Sequence, residues 1–326
     1  MLSQFRVFSL RTSSFQKTIL TRSFAIHSTT TNNNNNDQLA YDSNKKTETN
    51  KLEKTLAKFW EKVSVSKNDS TNEYVIKLDE KIIKTPLGFD LKIPHSKKTL
   101  AYLLENEWKS LPSLQIRPYL VPLTSLTSRC IDLNEAQLTN DIEIKTKVGD
   151  LSTVKSLLLR YLDTDTMLVF SPIEDCDGDL RKEQEKCYRP IIKDMEIFFT
   201  KFSNDNKPVN LKFLDCDKDG LIGNSQTEHT KKAVLNYLDS LNVWDLVALE
   251  KATLVGKSFL AGVTVLRNAD YNDNFNLTIE ELARLVNLET VLQTARWGEV
   301  EDTHDVDKVD LKRNLASAAL IAHNSL

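Results

Sequence analysis

Two hydrophobic rhythms divide the chain. In the first, apolar residues alternate with polar ones in "VSVS", "EYVIKLD", "KIIKT" and "FDLKI", with Asn/Asp/Ser and Pro/Gly turns between them. Period-two alternation bounded by turn residues predicts short antiparallel strands. Leu52, Leu56, Phe59 and Trp60 precede them at helical spacing, which gives a small sheet the backing it needs. The second rhythm begins at "SKKTLAYLLENEW", where Ser96 reads as an N-cap and Leu100, Leu103, Leu104 and Trp108 share one face. Three-to-four-residue apolar spacing then recurs over 180–202, 227–239, 243–267, 278–296 and 307–322, broken by turn-rich "SNDNKP" and "NADYNDN". The expected fold is α+β: a small N-terminal antiparallel β domain at 51–95 and a larger, mostly α-helical domain at 96–326.

What precedes residue 51 follows neither rhythm. No acid occurs before Asp37, while Arg6, Arg11, Lys17 and Arg22 are interleaved with Phe5, Phe8, Leu10, Phe15, Ile19 and Leu20. A basic, acid-free, amphipathic start reads as a mitochondrial presequence, here placed at 1–28. The Asn-rich, low-complexity stretch 29–50 reads as a disordered linker. The whole chain carries a net charge of −3, and removal of the four presequence bases leaves about −7. Such an acidic product is unsuited to general nucleic-acid binding, and no apolar run is long enough to span a bilayer. A mitochondrial matrix protein without stable membrane insertion is expected, as a monomer.

Familiar chemistry is mostly missing from the sequence. Cys130, Cys176, Cys187 and Cys216 form no CxxC pair, the histidines lie far apart, and there is no GxSxG, P-loop or GxGxxG among only eight glycines. In "DCDKDGLIGNSQ", Asp215, Asp217, Asp219, Gly220 and Ile222 imitate a calcium loop, but Gln226 stands where a bidentate Glu belongs. An Asp/Gly turn explains this stretch better. "EDCDGD" at 174–179 likewise reads as turn and cap chemistry.

The densest group of ionisable residues is "WGEVEDTHDVD", Trp297 to Asp307. Gly298 is placed to stop one helix and Asp307 to cap the next, with Asp310 in its first turn. Capping leaves Glu299, Glu301 and Asp302 unexplained. In the preceding helix, Glu289 falls in the middle of a stripe made by Leu282, Leu285, Val286 and Leu292. A carboxylate there requires either an internal Arg or Lys or a partner facing the stripe. Glu289, Trp297 and the acids that follow read together as a recognition surface with one aromatic anchor and negative charge.

Several segments, taken in order, resemble a known family: "FWEKVSV" (59–65), "YVIKLDEKIIKTPLGFDLKIP" (74–94), "ENEW" (105–108), "VPLTSLTSRCID" (121–132), the "LRY" and "LxxxQxxxYxP" spacings at 159–161 and 180–190, and "LExxxQxxxWGEVEDTHDVD" (288–307). The family is that of the mitochondrial chaperones, ATP12-type, that attend the alpha subunit of the ATP synthase catalytic sector. The resemblance implies a non-enzymatic role, transient binding of the alpha subunit until its beta partner replaces the chaperone, and no cofactor, metal or nucleotide. It places the family's functional acidic region at Glu289 and over Glu299 to Asp307; with Trp297 as anchor and Gly298 as the turn, the expected client-binding residues are Glu289, Trp297, Gly298, Glu299, Glu301, Asp302, His304, Asp305 and Asp307. Segments 171–179 and 203–226 depart from the family pattern and look like lineage-specific loops. A second contact, by β-augmentation at the "YVIKLD" strand, ranks below the acidic surface. The alternative class is a carboxylate-dependent matrix hydrolase built on Glu301, His304 and Asp305.

Overall fold

Residues 60–325, apart from 69, 113–116, 140, 206, 221 and 271–272, are described by a computed structural model. The expected presequence, the linker and the apolar series at 52–59 lie outside the described residues. β1 (Val63–Asn68), β2 (Glu73–Leu78), β3 (Lys81–Ile82) and β4 (Lys92–Pro94) form one antiparallel sheet. β2 lies in its middle, paired along β1 from Val63↔Leu78 to Asn68↔Glu73, and on its other flank with β3 at Leu78↔Lys81 and β4 at Tyr74↔Ile93. "YVIKLD" is therefore not an edge, and β-augmentation at this strand is ruled out because both flanks already have partners.

The alternation turns Tyr74, Ile76 and Leu78 to the buried side with Ile83, Leu91 and Ile93. Helix α1 (Lys98–Lys109) covers them with Leu100, Ala101, Leu104 and Trp108, and the Trp60 ring meets Trp108 edge-on at 5.5 Å. Ser96 is not its cap. A 3₁₀ turn at His95–Lys97 comes first, and the Ser96 carbonyl accepts a hydrogen bond from Ser325 N–H instead.

The resemblance motifs become contacts between elements. Glu107 accepts hydrogen bonds from the N–H groups of Leu123 and Thr124 at 2.9 Å, which secures the start of α2 (Pro122–Thr139), and Trp108 Nε1 donates to Thr124 Oγ1 at 2.8 Å. Thr85 closes a turn with Phe89, and its hydroxyl faces the buried Asp132 carboxylate. Short α3 (Ile142–Val148) and α4 (Leu151–Asp163) start at the aspartate caps Asp141 and Asp150. In α5 (Asp179–Thr200), Leu180, Gln184 and Tyr188 recur every fourth residue on the buried face. Gln184 binds Ser171, and the Tyr188 hydroxyl donates to the Leu285 carbonyl at 2.8 Å.

A two-residue parallel pairing of β5 (Val169–Phe170) with β6 (Leu214–Asp215) leads into one short turn of helix, α6 (Cys216–Asp219). The calcium-like loop spends its carboxylates on protein donors. Asp215 pairs with Arg181 at 2.8 Å, Asp217 accepts from Ile173 N–H, and Asp219 accepts from Asp215 N–H.

After α7 (Glu228–Ser240), the expected helix over 243–267 is two helices. α8 (Val243–Gly256) ends at Lys257 with φ 53°, and Ser258 caps α9 (Phe259–Ala269) by accepting from Ala261 N–H. The expected helix over 278–296 also divides: α10 (Ile279–Val286), opened by a Thr278/Glu281 capping box, stops at Asn287, and α11 (Leu288–Trp297) starts anew. α12 (His304–Ala322) packs along α8 and closes the fold. A continuous apolar core runs from Trp60 and the sheet through Phe170, Phe199 and Phe259 to Ile321. Among the described residues no helix is long and apolar enough to cross a membrane.

Candidate functional site

α11 is anchored by little of its length. Leu288 alone among its residues is fully buried, and Trp297 at its end is 69% exposed. The break at Asn287 changes the role expected of Glu289. Because α11 does not continue the α10 stripe, Glu289 sits exposed in the first turn of a separate helix and accepts a hydrogen bond from Gln293 at 2.9 Å. No internal Arg or Lys pairs with it among the described residues.

Gly298 ends α11 as expected, with φ 92° and ψ 159° and its N–H bonded to the Thr294 carbonyl. That backbone region is open to glycine almost exclusively. The turn that follows exposes Glu299, Val300, Glu301 and Asp302. His304 closes it: its Nδ1 accepts from Val300 N–H at 3.0 Å, and its own N–H donates to the Val300 carbonyl.

The expected cap at Asp307 is wrong by one turn. α12 starts at His304, so Asp305 and Asp307 lie inside its first turn, where free N–H groups favour negative charge. Asp310 lies a turn further on and pairs with Arg313. The His304 Nδ1 is engaged by backbone, and among the described residues no group of three His, Cys, Asp or Glu side chains is placed to hold a metal ion.

The sequence reading did not single out the apolar component of this surface. Val300, Val306 and Val309 are exposed in the stretch that follows Trp297, so along the chain apolar side chains are interspersed with carboxylates from Trp297 to Val309. Clustered exposed apolar residues rimmed by charge mark protein-binding surfaces. The signal was present in the sequence as "VEDTHDVDKV", whose valines were overshadowed by the acids around them.

An α+β protein with an exposed stretch in which apolar side chains are interspersed with carboxylates has the surface features of a binding protein. Comparison makes the class specific. The ATP12 chaperone protein family matches residues 57–196. Protein ATP12, mitochondrial, of Saccharomyces cerevisiae is 47% identical over 292 residues, covering 86% of this chain and 88% of the relative. Protein atp12, mitochondrial, of Schizosaccharomyces pombe is 35% identical over 265 residues, covering 81% of each. The crystal structure of Atp12 from Paracoccus denitrificans shares the fold with a TM-score of 0.60 at 19% identity, over 82% of this chain and 97% of that one. The chain belongs to the ATP12 chaperone family. Its members are chaperones rather than enzymes, which sets the matrix hydrolase reading aside.

Proposed function

We propose that the protein holds the unassembled alpha subunit of the mitochondrial ATP synthase catalytic sector in the matrix and releases it when the beta subunit takes its place. Its relatives are named mitochondrial, and the basic, acid-free N-terminus suits import. The observation that carries the reading is the exposed surface from Trp297 to Val309, with Glu289 on the helix before it.

A subunit awaiting its partner exposes apolar surface that aggregates. Trp297, Val300, Val306 and Val309 supply apolar cover, while Glu299, Glu301, Asp302, Asp305 and Asp307 steer basic client groups. His304 and Gly298 set the turn that presents them. Such a surface is small, and its rim is charged. It favours selective, reversible capture over permanent assembly.

The test is suppression of aggregation of the isolated alpha subunit by the monomeric chain. Protection at near one-to-one stoichiometry is expected, with loss in Trp297→Ala and Glu289→Lys at unchanged melting temperature. Protection by trace amounts, or full protection by both variants, would overturn the reading.

A further inference from the structure

We infer that the turn from Ser171 to Asp179 is a second wall of this client surface, with Ile173 an exposed apolar anchor on the turn that Arg296 ties to α11 and its acids extending the negative rim. This inference rests on the function proposed above and adds a part of the chain that the family resemblance does not supply.

An ion pair ties the turn to α11. Arg296, the residue before Trp297, forms an ion pair with Asp177. At seven residues' spacing Arg296 lies roughly 20° around the helix from Glu289, so the face that carries Glu289 is the face that meets the turn. Tyr188, one turn along α5 from the Gln184 that holds Ser171, donates its hydroxyl to the Leu285 carbonyl just before α11.

What the turn presents matches what Trp297 presents. Ile173 is 63% exposed, and Glu174, Asp175, Asp177 and Asp179 are exposed around it. It is also held in place. Ser171 N–H donates to Gln184 Oε1 at 2.8 Å, Arg181 donates to the Ser171 carbonyl at 3.0 Å, and Ile173 N–H donates to Asp217 Oδ2 at 3.0 Å. The chain doubles back on itself, because a Cβ added at Gly178 would lie 3.3 Å from the Ile173 carbonyl oxygen. A side chain on so fixed a backbone loses little further freedom when covered, which favours its use in binding.

The charge selects the occupant. On this side Asp177 and Asp179 are paired with Arg296 and Lys182, which leaves Glu174 and Asp175; with the five carboxylates beyond Gly298 they favour an apolar client segment flanked by Lys or Arg and repel acidic partners.

The experiment titrates isolated alpha subunit with the full chain and its variants Ile173→Asp, Glu174→Lys/Asp175→Lys and Trp297→Ala, each checked for unchanged melting temperature. Ile173→Asp is expected to weaken binding about tenfold or more, as loss of an anchor does. The double charge reversal is expected to slow association at low salt, with the difference vanishing at high salt. Loss in Trp297→Ala with native affinity in both turn variants would overturn the second wall and leave the proposed function standing. Loss in the turn variants alone would support the wall while removing Trp297 from the contact. Failure of the unsubstituted chain to bind would overturn both.

Discussion

Lys97 Nζ lies 2.6 Å from the Ile321 carbonyl oxygen, and it reaches the Ala322 and His323 carbonyls as well, at 3.2 and 3.3 Å. A side chain only 4% exposed thus caps the C-terminal end of α12 from the segment that joins the sheet to α1, with the Trp244 ring 5.5 Å away. The ammonium meets the negative end of the helix dipole. Burial nevertheless dominates and lowers its pKa, with Asp245 acting in opposition. In Lys97→Met, three carbonyls lose their donor, and a loss of about 1–3 kcal/mol in unfolding free energy is expected. Urea denaturation measures it; a neutral substitution would mean the cap is dispensable.

Asp165 gives the protein a pH signature. Its carboxylate accepts from Met167 N–H and Leu260 N–H at 2.8 Å, tying the start of α9 to the end of α4. Burial raises its pKa to about 6, against those hydrogen bonds. The folded pKa exceeds the unfolded one, so between the ordinary Asp range and pH 6 the native state keeps a proton the unfolded chain has lost. The contribution of Asp165 to stability is therefore full at the acid end and falls as pH rises through that window, by about 3 kcal/mol in all. The unfolding free energy of the native sequence minus that of Asp165→Asn should decline from pH 4 to pH 6 and level off above; a flat difference would show that Asp165 does not titrate there.

Gly262 is required by the crossing of α8 and α9. A Cβ there would meet Thr253 Oγ1 at 2.4 Å, Leu249 Cδ1 at 2.8 Å and the Leu249 carbonyl at 3.0 Å. Because one obstacle is backbone, the helices must separate. Gly262→Ala is expected to destabilise the fold by about 1–3 kcal/mol, the range for overpacking, read as a lowered melting temperature. A native melting temperature would refute so close a crossing.

Gly298 faces open space, so Gly298→Ala meets no clash and tests backbone conformation alone. Forcing an L side chain to φ 92° costs about 1–3 kcal/mol. The expected outcome is a modest fall in stability and a larger fall in client affinity as the Glu299–Asp302 turn is re-aimed. Equal affinity would show that the turn's path is unimportant to binding.

These features were unequally legible in sequence. The strand alternation, the α1 face and the Leu180/Gln184/Tyr188 ladder are local patterns, and each maps directly onto burial. Sheet order is not local: nothing in "YVIKLD" states that it will be flanked on both sides. The break at Asn287 was hidden because Leu288 restarts an apolar face so soon that the helical period runs on in the sequence, which placed Glu289 in a single stripe that two helices in fact divide. The start of α12 was misread because Thr303 makes no side-chain cap and His304 closes the preceding turn instead. Ile173 was missed because a lone apolar residue among acids carries no period at all. The link from its turn to α11 is an Arg296–Asp177 pair that spans 119 residues.

The grip of Lys97 on α12 also fixes where the molecule can be handled. The helix is nineteen residues long, a rod of about 28 Å, and its two ends have opposite characters. One end is clasped beside residues 96–99, where Ser325 bonds to Ser96 and Thr99. The other opens from the acidic turn. A fluorophore or surface tether joined near Ser325 would stand a full helix length from Asp305, so an immobilised chain would still hold its acidic turn out toward solution.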